Sequence, residues 1–329
     1  MNIFSAVTNH DFSDNTCFLC GASLTSNNRS DEHVFPKWLQ SRYDLWNEKI
    51  SLLNGTLIPY RQLTIPCCSD CNNNKLSQIE AKVQSAIENG YTAVKSLDSK
   101  TLFIWLGKIF YGMLYRELFL PLNRSSPSSN NIISPEDMER FQMHHYFLQS
   151  CRVPMQFRSF DAVHPWTIYV FQLQDGENYA TSWDFRDDII NETICIKLVN
   201  IGMLAAFDCG AIFVDAGDKF SKYSNYSLHP LQFYELGAAF FYKASLLNRV
   251  PKFIISEAPN QFIVTIMPMA GMSEKPVFDE WMISDYAQHL SAFTQCPVEE
   301  LHPSPEKITT WLRKQNSDEF MHIDLNGDS

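Results

Sequence analysis

Cys17 and Cys20 form a C-x-x-C pair followed by Gly21, and Cys68 and Cys71 form a second. Thiolates at this spacing are ligands of a tetrahedral Zn²⁺ site, and four of them complete it. Such a site has no open position for a reacting water and stabilises a fold rather than performing chemistry. Cys67 is an alternative ligand, although its spacing to Cys71 is less usual. The 47 residues between the pairs exceed the roughly 15–20 of a compact zinc ribbon, so an inserted segment must leave the metal and return to it. That segment carries Asp31, Glu32 and His33 ahead of Val34, Phe35 and Pro36. A carboxylate beside a histidine, together with an amide from elsewhere, is what metal-assisted hydrolysis of a phosphodiester requires. The carboxylate and amide oxygens hold Mg²⁺ or Mn²⁺, and the neutral imidazole takes a proton from the attacking water. Asn72 is placed to supply the amide, because the neighbouring Cys71 would fix its position.

Taken in order, "CFLCG", "EHVFP" and "CSDCNNNK" resemble the HNH nucleases, in the variant stapled by two zinc knuckles. The resemblance covers roughly residues 15–95. It implies a ββα-metal core, with Glu32 as an acidic ligand of the catalytic metal, His33 as general base and Asn72 as second ligand. By the same resemblance Lys75 is a basic residue near the phosphate or the helix start. Many members place an asparagine about five residues before the second knuckle. Here that stretch reads "YRQLTIPCC", and Gln62 or Asn54 would have to substitute.

The elements that must position these residues fall into two textures. Residues 1–74 read as loops and short strands. From Lys75 onward Leu76, Ile79, Val83, Ile87 and Tyr91 recur at helical spacing, with the asparagine run before them as a cap. Residues 101–119 read as a strongly apolar helix interrupted by Lys108 and Arg116, and 135–150 resume helical patterning after a polar connector. Branched and aromatic runs at 155–160, 166–174, 193–199, 204–214, 252–257 and 262–268 read as strands, with helices at 230–247, 278–294 and 305–315. The expected fold class is α+β: a small zinc-stapled module over residues 1–97, followed by a larger α+β domain over 98–329 that regulates it or binds a partner.

Composition bounds the function. No apolar run approaches the roughly 18 residues of a membrane helix, and the N-terminal residues lack a basic start followed by an apolar stretch. A cytoplasmic protein that does not engage a membrane is expected. The nine cysteines cluster: five lie between 17 and 71, whereas Cys151, Cys195, Cys209 and Cys296 are scattered as small buried hydrophobes would be. Net charge is −11, which argues against a whole-molecule grip on phosphates. Residues 1–100 are nearly neutral, with nine Lys or Arg against ten Asp or Glu, so the acid excess lies in the remainder.

Lys37, Arg61 and Lys75 are candidate contacts to nucleic acid, DNA in preference to RNA. Asp31 and Glu80 read as solvated carboxylates, Trp38 and Trp46 as core residues of an amphipathic helix, and the His144–His145 pair lacks partners at ligand spacing. No phosphate-cradling glycine loop occurs. The sequence thus leads to a regulated, metal-dependent nuclease, of the kind deployed in bacterial antiviral systems, with a regulatory protein partner for the C-terminal part. The alternative is a non-catalytic zinc-binding interaction module.

Overall fold

A computed structural model describes residues 2–5, 12–126, 130–160, 164–174, 183–208, 210–249, 251–269, 271, 274–314 and 317–325. It has both helices and sheets, an α+β architecture. The chain forms two compact units. One compact unit comprises Met1–Asn89, Ser96–Gln156 and Ser256–Ile263; the other comprises Gly90–Lys95, Phe157–Ile255 and Val264–Ser329. The apolar helix after residue 97 therefore belongs with the cysteine-bearing segment.

In the first unit, β1 (Glu32–His33) pairs antiparallel with β4 (Thr64–Ile65), in register Glu32↔Ile65 and His33↔Thr64. The pairing extends past both ends through Ser30 N to Cys67 O at 2.8 Å and Val34 N to Leu63 O at 3.0 Å. The long insertion leaves and returns along this ladder. It contains α1 (Lys37–Arg42) and a hairpin of β2 (Lys49–Ser51) with β3 (Leu57–Pro59). Gly55 turns the hairpin at φ +74, a conformation glycine adopts without a Cβ penalty. The helix expected across "FPKWLQSRYDLW" stops at Arg42, because Asp44 takes a left-handed conformation at φ 55 and Leu45 N turns back to Gln40 O at 2.8 Å.

After β4 the chain winds as a π-helical turn over Cys71–Leu76 and continues as α2 (Ser77–Glu88). Asp98 caps α3 (Ser99–Glu117), accepting from Thr101 N at 2.9 Å and Thr101 Oγ1 at 2.6 Å. Every residue from Thr101 to Tyr115 in α3 is buried, which explains its lack of a polar face. A shorter helix, α4 (Gln142–Leu148), follows. Its His144 and His145 bond the carbonyls of Gly107 and Phe18 at 2.8 and 2.7 Å. Burial holds their pKa values down to about 3 and about 4, so both are neutral core residues.

In the second unit β6 (Thr167–Leu173), β7 (Trp183–Asp188), β8 (Thr193–Leu198) and β9 (Ile201–Ala206) form antiparallel ladders, and β10 (Ser227–Leu228) pairs parallel with β6. The order is β10–β6–β9–β8–β7. Strands β8 and β9 are buried at every position. The charged strand β7 was not expected from its composition. The chain also forms β5 (Met155–Ser159), β11 (Phe253–Ala258) and β12 (Gln261–Ile266), each of which the division into units cuts.

The strand expected over 204–214 ends at Ala206, and α5 (Ala211–Ser221) follows. Asp208 enforces the change: its buried carboxylate accepts from Gly210 N, Ile212 N and Thr167 Oγ1 at 3.0, 2.7 and 2.9 Å. Helices α6 (Pro230–Ser245) and α7 (Ile283–Thr294) pack together. Of the helix expected over 305–315, residue 315 lies outside the described residues, and 305–314 are not helical. Their backbone bonds α6 side chains instead, with Trp311 N donating to buried Glu235 at 2.6 Å and Gln232 Nε2 donating to Trp311 O at 2.7 Å. Among the described residues, no helix is long and apolar enough to cross a membrane.

Removing the Asp208 carboxylate would orphan two buried backbone donors at the start of α5. Asp208→Ala is expected to lower stability by about 2–4 kcal/mol, read as a shifted urea midpoint at unchanged slope.

Candidate functional site

The Sγ atoms of Cys17, Cys20, Cys68 and Cys71 all lie within 4.8 Å of one another. A tetrahedron built on Zn–S bonds of about 2.3 Å has edges of about 3.8 Å, and the Cys20–Cys68 sulfur separation is 3.7 Å. Neighbouring thiols, Cys20 first, hold Cys17 far below its ordinary pKa, and Cys17 in turn pushes Cys71 up. Cys20, raised chiefly by Cys17, reaches about 12. The donors and their spacing suit a metal ion. Cys67 is outside this group of four, although its Sγ is 3.9 Å from that of Cys17.

Local backbone explains how the four meet. Gly21 takes φ +74, where a Cβ would also strike the Phe4 ring, and this lets Gly21 N bond Cys17 O at 2.9 Å. Phe18 N bonds Pro66 O at 2.9 Å, which holds the first pair against the strand leading into the second. Cys71 opens the π-helical turn, and its N–H points to Cys68 Sγ at 3.4 Å.

Asn72 follows directly. Its Nδ2 donates to Ser30 O, Ser30 Oγ and Asp31 O at 2.9, 3.2 and 3.2 Å. The amide thus clamps the backbone entering Glu32 and His33, leaving Oδ1 as its remaining ligand atom. Asp31 itself is exposed and paired with Arg29 at 2.9 Å.

Adjacent strand residues point to opposite faces, and β1 follows this rule. Glu32 turns inward and is 4% exposed, whereas His33 is half-buried on the other side. Glu32 meets Lys108, a residue of α3 that is 1% exposed. The lysine Nζ lies 2.7 Å from Glu32 Oε1, 2.8 Å from Glu80 Oε1, 2.9 Å from His33 O and 3.0 Å from Val34 O. One ammonium therefore ties β1, α2 and α3 together. Burial and the neighbouring Glu80 push Glu32 up to about 7 against the pull of Lys108. Burial alone would lower Lys108, but Glu32 and Glu80 hold it above its ordinary value, so the lysine stays charged.

On the outer face the His33 imidazole lies 6.2 Å from the Trp46 ring with 23° between their planes. Desolvation, then the positive charges of Lys37 and Lys108, lower its pKa against the pull of Glu80. Lys37 is exposed at the start of α1, while Arg61 NH1 is held by Trp46 O at 3.1 Å and by Asn47 Oδ1. Lys75 is half-buried in the π-helical turn, close enough to Cys151 to affect its thiol. Asn54 sits at the tip of the β2–β3 hairpin, donating to Pro121 O at 2.7 Å and accepting from Thr56 N; Gln62 is exposed.

The structure thus brings the four cysteines together, sets Asn72 beside the Glu32–His33 backbone, and turns Glu32 and His33 to opposite faces. The sequence reading missed Lys108 and the inward role of Glu80. The available signal was a lone lysine in an apolar helix, since lysine is almost never fully buried unless paired. Trp46, expected in the core, is 42% exposed, whereas Trp38 stacks on Trp105 at 6.3 Å. In comparisons with known proteins, no family model, curated protein or solved structure matches the chain.

Replacing Lys108 by Met would leave two carboxylates facing a neutral side chain in the interior. The variant is expected to lose about 3–5 kcal/mol in urea unfolding. Adding Glu32→Leu should recover part of that loss, giving a non-zero coupling energy in the double-mutant cycle.

Proposed function

We propose that the chain is a metal-dependent phosphodiesterase of the HNH type that cleaves a nucleic-acid backbone, DNA in preference to RNA. One observation carries this reading: Asn72, anchored one residue beyond the cysteine cluster, clamps the Ser30–Asp31 backbone that presents His33. A histidine fixed on an antiparallel strand pair, beside a helix whose first turn carries both a metal-ligand cysteine and an amide, is the arrangement that the sequence resemblance implies.

In this reading the four cysteines hold a structural zinc that orders the module and takes no part in the reaction. Asn72 Oδ1 would hold a divalent Mg²⁺ or Mn²⁺ ion, which would stabilise charge on the scissile phosphate; Glu32, the acidic ligand that the resemblance implies, is turned inward to Lys108 on the face opposite His33 and takes a positioning role instead. Asn72 suits that task because its Nδ2 is tied down, which leaves Oδ1 over. His33 accepts the proton of the attacking water, with its backbone carbonyl held by Lys108. Lys37, Arg61 and Lys75 supply positive charge for the phosphate backbone. The more acidic remainder of the chain binds a regulatory protein that controls the nuclease, as in a triggered antiviral effector within the cytoplasm. A second reading, a non-catalytic zinc-stapled interaction module, draws on the Glu32–Lys108 pair, which gives Glu32 a structural task.

Two measurements test this. Incubated with Mg²⁺ or Mn²⁺, the purified protein should nick plasmid, linear duplex or single strands. Folded, zinc-loaded His33→Ala should lose about 10²–10⁴ of that rate. Undiminished cleavage by the variant would remove His33 as the base, and cleavage of no nucleic acid would favour the second reading. Independently, a zinc chelator should release one metal ion per chain as the first unit loses its resistance to proteolysis, and Cys68→Ser should not retain the ion.

A further inference from the structure

Trp46 is an exposed aromatic on a pinned backbone. It lies in the turn between α1 and β2, where Leu45 N bonds Gln40 O at 2.8 Å, Glu48 N bonds Leu45 O at 3.0 Å, and Tyr60 N bonds Glu48 O at 3.0 Å. Arg61 holds the Trp46 carbonyl itself, and Lys108 holds the carbonyl of His33. The indole is thus fixed relative to the imidazole, nearly parallel to it, and still 42% exposed. Core packing does not account for this placement, since Trp38 of the same stretch stacks on Trp105 and is less exposed.

We propose that Trp46 is a stacking platform for a nucleobase flanking the phosphate at His33, and that the substrate is nucleic acid with an unpaired base at that position. The proposal rests on the nucleic-acid reading above and narrows its substrate class. Inside a duplex each base has both faces covered by its neighbours. To lie on an indole beside the reacting phosphate, a base has to be single-stranded, at an end or splayed from the helix. Every base has a π-face, so such a contact tolerates any sequence while selecting for unpaired structure. Lys37 and Arg61 flank the two rings from α1 and from the turn before β4, and offer cationic contacts to the adjoining backbone.

The test is equilibrium binding of the full-length protein, with Ca²⁺ in place of Mg²⁺ or Mn²⁺, to fluorescent oligothymidylate of about 12 nucleotides. The same strand in a duplex and the same strand with abasic sites are measured in parallel. Wild type should favour the intact single strand over both. Trp46→Ala should weaken single-strand binding by roughly 5- to 150-fold while melting with the wild type, and Trp46→Phe should restore most of the affinity. Trp46→Ala should also be indifferent to the abasic sites, since the base and the indole are then partners in one contact.

Single-strand affinity unchanged by Trp46→Ala would overturn the stacking proposal, as would equal penalties for abasic sites with and without the indole. Neither result would touch the His33 cleavage assay, so the hydrolase reading would stand or fall separately. If wild type binds no oligonucleotide at all, the stacking proposal and the nucleic-acid reading fail together.

Discussion

A lysine ammonium in a protein interior remains charged only where oxygens replace the water it has lost. Lys108 meets this constraint with two carboxylates and two carbonyls, drawn from β1, the residue after it, and α2. Each contact has to be within hydrogen-bond distance at the same time. The strand bearing His33, the helix bearing Glu80 and the helix bearing the lysine are therefore held in one arrangement. Because side chains alternate along a strand, fixing Glu32 inward also fixes His33 outward. The buried pair thereby sets the direction of the one histidine that faces Trp46.

The cysteine group acts at the other end of the same strand pair. It joins the Cys17–Gly21 loop to the start of the π-helical turn, while Asn72 reaches from that turn to the backbone just before Glu32. His145 adds a bond from α4 to the Phe18 carbonyl within the first loop. Two constraints of different chemistry thus bracket two strands of two residues each. Strands this short cannot hold themselves by ladder bonds alone, and the flanking cluster and salt bridge provide what the ladder lacks.

What the sequence revealed follows from this division. Cysteine spacing depends on local covalent geometry, so the four-thiol group and the choice of Cys68 over Cys67 were legible as one reading with one alternative. Long apolar helices such as Ser99–Glu117 and Pro230–Ser245 declared themselves by length and pattern. The Lys108 network was hidden because its partners lie 76 and 28 residues away, and no periodicity connects them. Residues 211–214 were read as the end of a strand because Ala, Ile, Phe and Val suit either state; the buried Asp208 carboxylate decides for a helix through tertiary contacts. Residues 305–314 failed in the opposite sense, when side chains of another helix took the backbone groups that a helix would have used. Trp46 was misplaced since the helix that would have carried it inward ends at Arg42.

Net charge adds a final constraint on the nucleic-acid reading. At −11 the chain as a whole repels a polyanion, and exposed Asp44 and Glu48 flank Trp46 itself. Long-range attraction, which gives most nucleic-acid enzymes their non-specific affinity, is weak here. Binding then depends on contacts that act at short range: a few cations placed beside the phosphate and planar groups that exchange water for a base. Stacking is nearly insensitive to net charge and requires an accessible base face. If the chain acts on nucleic acid as proposed, its acidity and the exposed indole beside its histidine would bias it toward unpaired strands, because duplex DNA would offer it chiefly the charge it repels.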